Sequence, residues 1–209
     1  MKINNPWLQI SSEDYEHHMS APNVGQLQML DEIFENVLNE FSPGSIAVLG
    51  CTAGNGFQHL VNRELERVVG IDINFKYLAE CRAWFVQDIV NLQLICADLN
   101  EIELSGSIFD LIHAALIFEY VNAEKLLEKI FGWLKPDGIL SVVLQLSSEK
   151  SEPVSDTPYQ ALKLLSSFMH LADVKEFKEK AYAIGFSEDR EPEIKTIGGK
   201  NFIEMYFKK

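Results

Sequence analysis

Ile46-Ala47-Val48-Leu49-Gly50-Cys51-Thr52-Ala53-Gly54-Asn55-Gly56 decides the fold. An unbroken apolar run containing Ile and Val reads as a strand buried on both faces. Gly50 and Gly54 then let the chain turn tightly and approach a ligand closely. A helix expected from about Phe57 would turn its free N–H groups and positive dipole end toward a carboxylate or phosphate. Alone this pattern is weak, because many strand-to-helix turns carry glycines for packing.

Working outward, residues 24–41 show helical periodicity through Leu27, Leu30, Phe34, Val37 and Leu38, and Ser42-Pro43-Gly44 ends them. Downstream, strands are expected at 67–71, 92–97, 109–115 and 139–146. Helices are expected at 74–87 and 123–134, the second stopped by Lys135-Pro136-Asp137-Gly138. Apolar strands separated by helices imply a parallel sheet covered on both faces, a three-layer α/β sandwich. After Leu146 the rhythm changes. Residues 147–158 read as a Ser-, Glu- and Pro-rich loop, and 159–171 as an additional helix. Asp173 is placed to cap a last helix with Val174, Phe177, Ala181 and Ile184 on one face. Gly198-Gly199 sits between two strand patterns and predicts a C-terminal hairpin.

Composition narrows the function. The chain has 209 residues, with 18 Lys+Arg against 31 Asp+Glu and a net charge of -13. That length predicts one domain, divided into a helical cap (1–40), a core (45–146), an inserted loop and helix (147–172) and a last helix with hairpin (173–209). No basic stripe is present to neutralise phosphates, so nucleic-acid substrates are disfavoured and a small-molecule or protein substrate fits better. Cys51, Cys81 and Cys96 form no CxxC and no Cys/His cluster, which indicates neither zinc nor disulfides and suits a reducing cytoplasm. The first residues lack a signal-peptide run, and no apolar stretch approaches membrane-spanning length. Nothing in the sequence sets the oligomeric state.

Two carboxylates end strands. Asp72 stands about 20 residues past the Gly-rich turn, where an acidic side chain can accept from a ribose diol or cap the next helix. Asp98 follows the third strand, where it can accept from an adenine amine or cap a turn. Candidate proton acceptors are His18 and Tyr15, which share a helix face, and Glu119 and Tyr120, which follow the fourth strand. His17, adjacent on the same expected cap, is open to surface or packing use, as is His18. His113 reads as a core histidine, and His59 and His170 carry no signal.

Over residues 45–146 these features, in this order, resemble the class I S-adenosylmethionine-dependent methyltransferases. Gly50 and Gly54 match the first and third glycines of that family's acidic-x-Gly-x-Gly-x-Gly motif. Val48 stands at its acidic position and Thr52 at its middle glycine. Asp72 resembles the ribose carboxylate, and Asp98-Leu99 the adenine contact. Residues 109–121 are similar to the fourth-strand segment of small-molecule members, and residues 134–140 to the Leu-Lys-Pro-Gly-Gly-x-Leu turn. The resemblance implies a seven-stranded sheet with the last strand antiparallel and an N-terminal helical cap. It also implies that Gly50, Cys51, Thr52, Gly54, Asp72, Ile73, Asp98, Leu99 and Ala115 contact S-adenosyl-L-methionine, with S-adenosyl-L-homocysteine as product.

The implied chemistry needs proximity and exclusion of water, with a base only for some acceptors and no metal. The Asn-Pro-Pro-Tyr type motif of amino-methylating nucleic-acid and glutamine enzymes is absent, since Ala114-Ala115-Leu116 stands there. A methyltransferase acting on a small molecule is therefore expected. A degenerate module that binds without turnover is the alternative, motivated by Val48 and Thr52. A nicotinamide-dependent dehydrogenase would need Gly-x-Gly-x-x-Gly, a spacing these glycines lack.

Overall fold

The computed structural model describes residues 5–148 and 152–209. The first four residues of the expected cap, and 149–151 of the expected loop, lie outside that range. β1 (Ser45–Leu49) is buried along its whole length because it has a neighbour on each side. β2 (Arg67–Asp72) pairs with it in parallel, and β3 (Leu92–Cys96) pairs with β2. On the other side lie β4 (Phe109–Ala115) and β5 (Leu134–Gln145), also parallel. The edge is shared by the short β6 (Ser187–Glu188) and β7 (Glu193–Ile197), both paired with β8 (Lys200–Lys208). β8 runs antiparallel on β5, giving seven strand positions in the order β3-β2-β1-β4-β5-β8-β6/β7. The expected α/β sheet with an antiparallel last strand is the one observed.

Alternation along the strands feeds two apolar layers. Ile46, Val48, Leu111 and Phe202 face α1 (Ser12–Ser20), α2 (Gln26–Phe41) and α3 (Phe75–Phe85). Ala47, Leu49, Ile112 and Met205 face α4 (Ala123–Trp133) and α5 (Val174–Ile184). Side-chain caps fix the helix starts: Ser11 for α1, Asn74 for α3, Asn122 for α4 and Asp173 for α5. Gly185, in the left-handed region at φ 117°, ends α5 and bonds back to Ala181 and Tyr182.

Four expectations are corrected. The helix expected from Phe57 is a single 3-10 turn, Phe57–Leu60. Val61 is extended and Asn62 left-handed, and the turn packs on α2, which already covers this part of the sheet. No helix joins β3 to β4. The helix expected at 159–171 is a 3-10 helix, Gln160–Ser167, whose eclipsed i, i+3 geometry stacks Leu162 and Leu165 on one side. The turn at 134–138 is a bulge within β5, with Asp137 at φ 63°.

Candidate active site

The carboxyl ends of β1 to β4, the segment before α1, the 3-10 helix Gln160–Ser167 and the start of β8 enclose a cavity of about 1030 Å³, part of it open to solvent. Ligands of open α/β sheets bind at this end of the strands. Asn74 Nδ2 donates to the Trp7 carbonyl at 2.9 Å and the Tyr77 hydroxyl to the Ile10 carbonyl at 3.0 Å, holding the N-terminal segment over the sheet.

The Gly-rich turn and Asp72 form one unit. Gly50 adopts φ 68°, and its N–H donates to the Ile71 carbonyl at 2.8 Å, folding the turn back over β2. The Thr52 N–H then donates to Asp72 Oδ2 at 2.9 Å, and the Asn74 N–H to Oδ1 at 2.8 Å. Burial pushes the Asp72 carboxyl up to about 6, offset in part by the Asn74 and Thr52 N–H groups. A carboxylate has about four acceptor sites, so capacity remains for a diol. Asp72 thus also caps the chain entering α3. Asp98 Oδ1 accepts from the backbone and side-chain amides of Asn100 at 2.9 and 3.0 Å, so it caps its own turn while lining the cavity.

Of the expected cofactor contacts, Gly50, Thr52, Asp72, Ile73, Asp98, Leu99 and Ala115 line the cavity; Cys51 and Gly54 do not. Cys51 is buried, with its thiol packed against Gly70. Gly54 faces α3, where a Cβ would lie 2.8 Å from Phe85 and 3.0 Å from Cys81, so packing by itself requires a glycine here. Val48 is core, paired with Gly70 and His113, and brings no carboxylate to the site.

Three of the four candidate proton acceptors line the cavity: Tyr15, His18 and Tyr120. Trp7 packs edge-on between the two tyrosines, with ring centroids 5.7 and 5.1 Å away. Burial, then nearby Asp72 and Glu16, push the Tyr15 phenol up; burial, then Glu119 and Tyr15, push Tyr120 up. His18 Nδ1 lies 2.8 Å from Thr157 Oγ1, and burial, then the charge of Lys200, push its pKa down. Glu119 sits behind the wall and is 1% exposed. Its Oε1 accepts from the Gln145 N–H at 2.9 Å, Oε2 has no partner among the described residues, and burial raises the carboxyl to about 7. His17 stacks on Tyr159 at the surface. His113 is a core residue 3.0 Å from Ser141 Oγ, and burial lowers its pKa to about 4.

Reading the sequence missed Trp7, Gln145 and Lys200. Only the burial of Lys200 was legible, by parity: two and six residues before Phe202 and Tyr206, it shares the face those buried rings use. The aromatic side chain at position 7 lacked any periodic context. Among the described residues no group of three His, Cys, Asp or Glu could hold a metal, and no helix is long and apolar enough to cross a membrane.

Residues 47–142 match the family described as a methyltransferase domain. None of the curated proteins matches the chain significantly. Among solved structures, an S-adenosylmethionine-dependent methyltransferase from Mesorhizobium loti is similar at 17% identity, TM-score 0.61, covering 83% of this chain and 96% of that one. The N-methyltransferase NodS from Bradyrhizobium japonicum, in complex with S-adenosyl-l-homocysteine, is similar at 13% identity, TM-score 0.67, covering 94% and 97%. The cyclase SpnF is similar at 15% identity, TM-score 0.69, covering 87% and 82%. Residues 47–142 thus match a methyltransferase domain, and the chain has the fold of class I S-adenosylmethionine-dependent methyltransferases.

Proposed function

We propose that the protein binds S-adenosyl-L-methionine and transfers its methyl group to a small-molecule acceptor, releasing S-adenosyl-L-homocysteine. The observation that carries this reading is the Asp72 carboxylate at the cavity wall, held by the Thr52 and Asn74 N–H groups with acceptor capacity left over. Asp72 would take the ribose diol, Asp98 and Leu99 the adenine, and Gly50, Thr52, Ile73 and Ala115 the remaining contacts. When bound, the cofactor supplies an electrophilic methyl group on a sulfonium. Trp7, Tyr15 and Tyr120 wall off water. His18 is the best-suited base: burial keeps its ring neutral, and Nδ1 engages Thr157, leaving Nε2 to take a proton from the acceptor. Residues 1–209 act as one unit in this reading, in a cytoplasmic setting that suits three free cysteines. The test is calorimetric titration with S-adenosylhomocysteine. Asp72→Asn is expected to weaken binding by roughly 1.5–3 kcal/mol, and an unchanged dissociation constant would remove the ribose assignment.

The degenerate binding module remains a second reading, favoured by Val48 in the core and by Thr52 at φ 48°, a conformation that suits glycine. A shared fold does not ensure a shared reaction. Cofactor binding with no methyl transfer across amine, hydroxyl, thiol and carboxylate acceptors would select it.

A further inference from the structure

Lys200 opens β8 directly after the Gly198-Gly199 turn and lines the cavity, yet it is only 4% exposed. Its Nζ donates to the Pro153 carbonyl at 2.6 Å, and Gln145 Nε2 donates to the same oxygen at 2.9 Å. An ammonium has three N–H donors, and two of them have no partner among the described residues. Among the described residues no carboxylate lies within ion-pair distance of it. A buried charge without a counterion is unfavourable, and proteins pair or neutralise such groups. Burial lowers the Lys200 pKa to about 8, so the ammonium still predominates at pH 7. The neighbouring His18 is neutral, leaving Lys200 as the one cation on the described wall.

Position separates this charge from the expected cofactor contacts. Asp72 and Asp98 end β2 and β3 on one side of β1, whereas Lys200 lies beyond β4 and β5 on the other. Four strand spacings, roughly 19 Å in the sheet, separate β2 from β8. The same cavity is lined by the apolar Val154, Leu162, Leu165, Met169 and Met19, beside the uncharged His18, Gln26 and Gln145. One ammonium balances a monoanion, and a phosphate dianion would leave charge uncompensated.

We propose that Lys200 anchors a carboxylate carried by the acceptor, whose apolar body lies against Leu162, Leu165 and Met169. This rests on the cavity being the methyltransferase site. The test is calorimetric titration of the full chain, saturated with S-adenosylhomocysteine, using matched pairs: phenylpropionate with phenylpropionamide, and octanoate with octanamide. In at least one pair the acid is expected to bind about tenfold or more tightly than the amide, and Lys200→Met to abolish that preference while leaving the S-adenosylhomocysteine affinity within about twofold. Equal affinities for acid and amide, no binding of any acid, or an acid preference that survives Lys200→Met would overturn the proposal. So would a loss of S-adenosylhomocysteine affinity in Lys200→Met, which would assign the ammonium to the cofactor. If the variant does not fold, equal affinities for acid and amide in the wild type still overturn the proposal, and Lys200→Gln replaces Lys200→Met in the comparison. If the wild type does not bind S-adenosylhomocysteine, the methyltransferase reading fails separately, and the same pairs titrated into the free protein still decide whether Lys200 holds a carboxylate.

Discussion

Burial raises the Asp72 carboxyl from 3.8 to about 6, so pH acts on this residue in two opposite ways. The folded, ligand-free protein holds the proton more tightly than the unfolded chain. Its stability from this group is therefore full below pH 3.8 and is lost as pH rises through about 6. A ribose diol needs the ionised carboxylate as acceptor, so affinity for S-adenosylhomocysteine should instead rise through the same window and then level off. Calorimetry at several pH values on wild type and Asp72→Asn checks this, and a pH-independent affinity in the wild type would contradict it. Glu119, raised from 4.5 to about 7 by burial, has the same stability sign with no ligand to offset it. Glu119→Gln should match the wild type below pH 4.5 and exceed it near pH 8 by on the order of 3 kcal/mol, roughly 6–12 °C in Tm. A wild type at least as stable as the variant at high pH would count against a buried, unpaired carboxylate there. Thr52, with φ 48°, occupies a backbone region that penalises a β-branched side chain. Thr52→Gly should raise stability by roughly 0.5–1 kcal/mol in denaturant titration, the relief of strain exceeding the extra chain entropy of glycine. A destabilised variant would mean the Thr52 side chain contributes more than its backbone costs.

The β7–β8 hairpin connects fold to site, because its turn sets where Lys200 enters the cavity. Gly198 adopts φ 57°, and a Cβ there would lie 2.7 Å from the carbonyls of Asn23 and Val24. Neither carbonyl can move without shifting the entry to α2, so Gly198→Ala should cost roughly 2 kcal/mol or more and lower the denaturation midpoint. Gly199 has open space at the same atom, and Gly199→Ala bears only the strain of φ 73°. Equal losses in the two variants would argue against close packing at 198. Local pattern was enough to read this hairpin, because two glycines between alternating segments admit few other structures. It was also enough for α4 and α5, whose apolar stripes and side-chain caps agree. It failed where tertiary packing overrode it. The turn after Gly56 cannot extend into a helix because α2 lies across its path, and Phe34 approaches Gly56 where a Cβ would be 2.6 Å away. No local signal reports an obstacle contributed by a helix some twenty residues upstream.

Two layers of helices cover the faces of one sheet, and at the carboxyl ends of its strands the N-terminal segment, the start of β8 and the 3-10 helix Gln160–Ser167 enclose the cavity. The places of Asp72 and Asp98 at the cavity were legible because both end strands, where open α/β sheets bind ligands. The acceptor side was not, because Trp7, Gln145 and Lys200 come together only through the fold, from segments far apart in the chain. The function rests on whether this cavity takes the nucleoside that Asp72 is placed to hold. Calorimetric titration of the purified protein with S-adenosylhomocysteine, against NADH as control, tests that most directly. Micromolar binding of S-adenosylhomocysteine alone is the expected result. Binding of NADH in preference, or of neither ligand, would contradict it.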